Sequence, residues 1–415
     1  MSFDTAGGFR LNADINNNFI DATENGERIT VGGNSGTGGS GRNTISFDSN
    51  MLNDFDTDGL ELTTLDSSVS QFLITGNTVD GTQNFGASSP QNGIDLLATG
   101  IGFTGTLDLT LQGNTVADFT DDQITIAGPT GTGTIRALID NNVVSSAVAT
   151  GEGIQVDIDD AMDVDATITN NQIDVGAGQN SVQIDSGGTG ASDVNVDITG
   201  NTGSGGSGAP VGDFSLNQTG TGTLGITQAS VAALQTANNN VTANTTGTIG
   251  TGVTVDTVSL LAAGGDGLGG SAAAGLSEAD TDALLAAAAN RWAATGLSSF
   301  ERALLATASV TVVDLPGDQL ASTFVTAIKV DANAASHGWF VDGTPGDDAE
   351  FDALAAAASG PAAGRIDLLT TLMHELGHII GKSHADTPGL MAEALAVGVR
   401  HLPADLNADS VDILA

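Results

Sequence analysis

The chain has 415 residues, 57 of them Gly, with no Cys, no Tyr and only 4% aromatic residues, yet 40% of it is hydrophobic, an ordinary share for a folded protein. Ten Lys and Arg stand against 50 Asp and Glu, a formal net charge of −40. That balance excludes a nucleic-acid binder, which needs clustered cations, and disfavours an anionic membrane surface, while the lack of Cys excludes disulfides, thiolate metal sites and a cysteine nucleophile.

The length implies two or three domains. No apolar run approaches the roughly 18 residues of a membrane helix. The N-terminus, MSFDTAGGFRLNAD, has no basic region followed by an apolar stretch. The expectation is a cytoplasmic chain, export by another route, or a fragment of a longer protein.

Residues 1–255 carry a degenerate repeat, an apolar-x-small-Asn-x-apolar hexamer. Its copies place Asn at Asn50, Asn77, Asn114, Asn142, Asn171 and Asn201, with steps of 27, 37, 28, 29 and 30. A second alternating element precedes most copies: Leu60-Glu61-Leu62, Ile94-Asp95-Leu96, Ile124-Thr125-Ile126, Ile154-Gln155-Val156 and Val182-Gln183-Ile184. Alternation is the period of a strand with one face buried, and a step near 30 is the mark of a solenoid. Equal coils would stack each Asn over the next, so that side-chain amides bond along the stack. This region resembles the right-handed parallel β-helix proteins of the pectate-lyase-like class.

Residues 256–275 are rich in Gly and Ala and read as a flexible linker. Helical spacing begins at 276. Ser277 and Asp280 form a capping box, Leu284, Leu285, Ala288, Trp292 and Ala293 give an apolar face, and Gly296 closes the helix. Ser309 to Val313 and Thr323 to Val330 read as strands, and Arg365 to Ile380 as a second helix.

The second helix ends in His374-Glu375-Leu376-Gly377-His378-Ile379-Ile380-Gly381-Lys382-Ser383-His384. His374 and His378, four apart, project from one helix face. Glu375 sits beside them, near enough to reach a metal-bound water. Gly381 allows the left-handed turn after which the chain doubles back and delivers His384. Three neutral nitrogens leave a fourth metal position open, as catalytic zinc sites do, and zinc lowers the pKa of water toward ~7. The bland alternative is an amphipathic helix with incidental polar residues. Yet the chain has only five His, and three fall at this spacing.

The segment resembles the metzincin signature of zinc endopeptidases. The run from His384 to Gly389-Leu390-Met391 is most similar to the matrixin branch, although one residue short. The resemblance implies an α+β catalytic domain over 276–415, of the kind attached to repetitive bacterial exoproteins. It implies Met391 as a Met-turn floor beneath the metal, not a ligand, and Thr323 to Val330 as the edge strand that aligns substrate. In some branches a Tyr binds the zinc and in matrixins a Cys holds latency; neither residue type exists here.

The expected protein is therefore multidomain: a β-helix over 1–255, a linker over 256–275 and a metzincin-like domain over 276–415. Its expected activity is zinc-dependent hydrolysis of proteins or peptides, with His374, His378 and His384 as ligands and Glu375 as general base. Its expected location is extracellular or on a bacterial surface. The acidic C-terminus, Asp412-Ile413-Leu414-Ala415, is similar to that of type I secretion substrates. The β-helix would serve as a spacer or bind a polysaccharide or cell-surface ligand. Two alternatives stand beside this: a surface adhesin with a dispensable peptidase domain, and a carbohydrate-active enzyme built on Asp157, Asp159, Asp160, Asp163, Asp165 and Arg136.

Ca²⁺ is a second expected ion. Asp14, Asn16, Asn18 and Asp21 alternate as a metal loop requires, as do Asp54, Asp56 and Asp58, and Asp405, Asn407, Asp409 and Asp412. Solvated acidic turns are the plainer reading of all three. His337 and His401 read as surface or packing residues, Trp292 and Trp339 as core.

Overall fold

Apolar residues at every second position, broken once per coil by a residue that turns the chain, fold the first part as a parallel β-solenoid of nine turns. The computed structural model describes residues 12–21, 27–33, 43–53, 58–81, 92–99, 103–146, 151–177, 179–187, 190–206, 214–239, 241–255, 257–265, 267, 276–352, 355–356, 360–382, 384–385 and 389–403. The chain divides into two units, 1–255 and 256–415.

Most coils of the first unit visit three parallel sheets, which among the described residues hold nine, seven and eight strands. The register runs straight through the stack: Leu107, Ile135, Val164 and Val194 lie over one another, as do Leu111, Ile139, Ile168 and Ile198. These side chains are fully buried, with Leu, Ile, Val and Phe of the other sheets, in one continuous core. In-register stacking suits them, because identical inward positions repeat in each coil and β-branched side chains pack well on a pleated surface.

The hexamer motif has a conformational cause. Its third residue (Ser49, Gly76, Gly113, Asn141, Asn170 and Gly200) has φ between 54 and 70 in each copy. Small or Asn residues tolerate that left-handed region. The turn aims the following Asn inward, where it is buried at 2% exposure or less. Each Asn Nδ2 donates to Oδ1 of the Asn one coil on, at 2.9–3.0 Å. Its second hydrogen goes to a backbone carbonyl, as from Asn142 to Leu111 at 3.0 Å.

The expected ladder is longer at both ends than the motif suggested. Asn18 donates to Asn50 Oδ1 at 3.0 Å, and Asn201 donates to Asn238 Oδ1 at 3.0 Å. Asn238 is reached through helix α1 (Val231–Ala237), not through a strand and turn. A second ladder runs at the start of the third-sheet strands. Backbone N–H groups of Asn92, Asp122, Glu152 and Asn180 donate to the side chains of Asp58, Asn92, Asp122 and Glu152, one coil back.

The second unit holds a mixed five-stranded sheet in the order Ser309–Val313, Ala327–Asp331, Gln319–Phe324, Val258–Ala262, Ala394–Leu395. Helices α2 (Glu278–Ala293), α3 (Ser299–Ala306) and α4 (Leu368–Ile379) accompany it. The capping box of Ser277 and Asp280 forms as expected, and Ser298 with Glu301 makes another at α3.

Three expectations need correction. Val258–Ala262, assigned to the linker, is an inner strand paired with Gln319–Phe324 and Ala394–Leu395. Thr323 to Val330 is not one strand but a hairpin, turning at Val325 with φ 53. Both its strands are paired on two sides, so this stretch is not the sheet edge. The second helix begins at Leu368 rather than Arg365, because Asp367 caps it: its Oδ2 accepts from Thr370 N–H and Oγ1.

Candidate metal centre

Helix α4 positions two of the three imidazoles, and its C-terminus positions the third. Gly381 (φ 81) takes the left-handed conformation that the sequence required. Gly381 N–H donates to His378 O and Lys382 N–H to Gly377 O, both at 2.9 Å, the paired bonds of a Schellman stop. The chain then returns to bring His384 beside the helix.

The three rings converge. Ligand nitrogens of His374, His378 and His384 all lie within 4.8 Å of one another, so the group could hold a metal ion. His374 Nε2 is 2.9 Å from His378 Nε2 and 3.3 Å from His384 Nε2. The other nitrogens of the helical pair face carbonyls: His374 Nδ1 donates to Leu390 O at 2.6 Å and His378 Nδ1 to Lys382 O at 2.8 Å. A carbonyl can only accept, so the proton sits on Nδ1 and each Nε2 carries a lone pair. Two lone pairs facing at this distance repel unless a cation lies between them. A tetrahedral ion with nitrogen bonds near 2 Å would set its ligands about 3.3 Å apart. The donor set therefore fits a metal.

Burial, and then the neighbouring His378, push the pKa of His374 down to about 3. The ring is thus neutral at physiological pH, the state a metal needs. His374 is fully buried, while His378 and His384 are half-buried, so approach to the group is from their side.

Glu375 is fully buried beside this triad. Thr323 Oγ1 donates to its Oε2 at 2.6 Å. Its other oxygen, Oε1, has no hydrogen-bond partner among the described residues. Burial pushes the carboxyl up to about 8. An orphaned buried acceptor is costly and rare, and marks a place where a further group belongs.

Met391, 2% exposed, packs against α4 at Gly377. A Cβ on Gly377 would stand only 2.5 Å from Met391 Sδ and 3.2 Å from Trp292 Cζ2. Trp292 Nε1 donates to Met373 O at 2.8 Å, tying α2 to α4. Arg400, fully buried, donates to both oxygens of Asp367, pairs with Asp342 and Asp348, and stands 4.3 Å over the Phe351 ring. It locks the start of α4 to the segment after Met391. No role was readable in the sequence for the side chains of Thr323 and Arg400, which lie outside the motif, nor for Gly377, which occupies one of its unspecified positions.

The remaining candidates do not assemble. His337 Nε2 donates to Gly265 O at 2.8 Å, away from the triad. Asp160 caps a turn through Gly131 and Ala161 N–H, Asp165 stacks over Arg136, and Asp157 lies in a strand of a different sheet. Among the described residues the three His are the only group of three or more His, Asp or Glu that could hold a metal ion. Asn18 is a rung of the ladder, and Asn16 Oδ1 accepts from Asp48 N–H at 3.2 Å, so the stretch expected as a calcium loop is two short strands of different sheets, Asn12–Asn16 and Phe19–Asp21, with the rung between them. The side chain of Asp21, and residues 54, 56, 405, 407, 409 and 412, lie outside the described residues.

No helix among the described residues is long and apolar enough to cross a membrane. Comparison with known proteins gives no match: no family profile, curated protein or solved structure aligns with the chain.

Proposed function

We propose that the second unit is a zinc-dependent endopeptidase similar to the matrixin branch of the metzincins, carried with a solenoid that acts as a binding or spacer module outside a bacterial cell. The observation that carries this reading is the unpartnered Oε1 of Glu375, buried next to three converging imidazole nitrogens. Three nitrogen donors with no thiolate suit zinc. Zinc, when bound, would polarise a peptide carbonyl and ease deprotonation of water.

His374, His378 and His384 would hold the ion, and the carbonyl partners of His374 and His378 keep those two rings turned toward it. Glu375 takes a proton from the attacking water through Oε1. It then delivers that proton to the amine as the C–N bond breaks, so one water is consumed and a carboxylate and an amine are released. The high carboxyl pKa that burial imposes suits a group that must both accept and return a proton near neutrality.

The test is metal content and casein cleavage by the full chain. The wild type should carry one zinc and lose activity to a chelator. Glu375→Ala should keep the zinc and lose at least about 100-fold in rate. His384→Ala should lose zinc itself. Near-wild-type turnover by metal-loaded Glu375→Ala would sink the reading. Depolymerisation of pectin or alginate, with no proteolysis, would favour the carbohydrate-active alternative.

A further inference from the structure

We infer that Thr323 is the positioning residue for Glu375: its hydroxyl holds one carboxylate oxygen and leaves the other to meet the water. The inference rests on the peptidase reading for its kinetic part and on geometry alone for the rest.

The contact has three properties that a chance neighbour would lack. Thr323 Oγ1 has a single proton, and it goes to Glu375 Oε2 at 2.6 Å, at the short end for a hydroxyl hydrogen bond. Both residues are buried, Thr323 at 5% and Glu375 at 0% exposure, so water does not stand in for the hydroxyl. Oε1 has no partner among the described residues, so the Thr323 bond is what distinguishes the two oxygens.

Thr323 is also a rigid post. Its strand is paired on both sides, with Thr323 opposite Val258 and opposite Ile328. A β-branched side chain on a fixed backbone has few rotamers. Glu375, by contrast, carries a long side chain whose last torsion is broad. The sheet therefore supplies the precision that the helix alone does not, across 52 residues of sequence. Thr323→Val keeps the shape and removes the proton. Thr323→Ser keeps the proton and removes a methyl.

The experiment uses the full chain in both metal-free and zinc-loaded states. With zinc and fluorescent casein, Thr323→Val should lower kcat by about 10- to 100-fold, the usual cost of removing an outer-shell partner, with KM within twofold and zinc content unchanged. Thr323→Ser should recover most of that loss. In the metal-free protein, Thr323→Val should lower the melting temperature when Glu375 is present. It should have no effect, or the opposite one, in a Glu375→Ala background, where the hydroxyl has lost its acceptor.

Wild-type kcat in Thr323→Val, equal losses in the Val and Ser variants, or loss of zinc would each overturn the inference. So would additive melting shifts in the double-mutant cycle. If the zinc-loaded wild type cleaves nothing, the peptidase reading fails, and the melting cycle alone decides whether Thr323 holds Glu375.

Discussion

Gly377 shows how tightly single residues are specified around the triad. It sits between His374 and His378 on α4, and Met391 and Trp292 fill the space a side chain would need. Gly377→Ala adds a methyl to a packed interior, an overpacking cost of about 1–3 kcal/mol, against a helix-propensity gain of roughly 1 kcal/mol. A net loss of about 1 kcal/mol is expected in denaturant unfolding, and an unchanged midpoint would show that Met391 moves aside freely. At this scale the sequence was readable wherever spacing alone decides: His374, His378, Gly381 and His384 fall into place because helix geometry and a left-handed stop dictate where they point. Thr323 was not readable, because its partner lies in another element and no local pattern links a strand Thr to a helix Glu. Asn18 was misread for a related reason: an Asn among acidic neighbours suits a cation loop as well as an amide ladder.

The coil is the next unit of scale, and its stability concentrates in the Asn rungs. Asn142 Oδ1 accepts from Asn114 N–H and Nδ2, while its own Nδ2 serves Leu111 O and Asn171 Oδ1. Asn142→Ala strips partners from buried groups on both neighbouring coils, each worth about 1–3 kcal/mol when left unpaired. Urea unfolding of that variant should show a loss of at least about 2 kcal/mol; a loss under about 0.5 kcal/mol would mean the rungs are decorative. The strands and rungs of most coils were legible because alternation, the small residue and the Asn recur together. The rung at Asn238 was not, since a short helix is inserted between the strand Thr223–Ile226 and that Asn. Nor was the second ladder, in which Asp, Asn and Glu interchange at one position. The hairpin at Val325 escaped notice because its turn is made of β-branched residues that read as strand.

Across the whole molecule the acidic excess becomes a pH response. Asp95 is raised to about 7 by burial, then by Asp58 and Glu61; Asp122 to about 6 by burial and Asp121; Asp157 to about 6 by burial, Asp159 and Asp185. Each holds its proton more tightly folded than unfolded. The resulting stabilisation is complete below the unfolded value of 3.8 and fades as pH rises through about 6 to 7. The solenoid should melt at a higher temperature at pH 5 than at pH 8 by circular dichroism. Asp95→Asn should raise the pH 8 transition and flatten the trend, whereas a solenoid more stable at pH 8 would reverse the sign argued here. Which carboxyls carry the response depends on coil register, visible only once the strands are stacked. The same register has an evolutionary corollary. Rungs separated by 27 residues (Asn50 to Asn77) and by 37 (Asn77 to Asn114) bond at 3.0 and 2.9 Å alike. The spine is thus indifferent to how much chain is spent between its steps. Segments can lengthen, shrink or diversify on the outside while the axis stays in tune, which makes this half of the protein a frame on which new surface chemistry can be tried without re-inventing the fold.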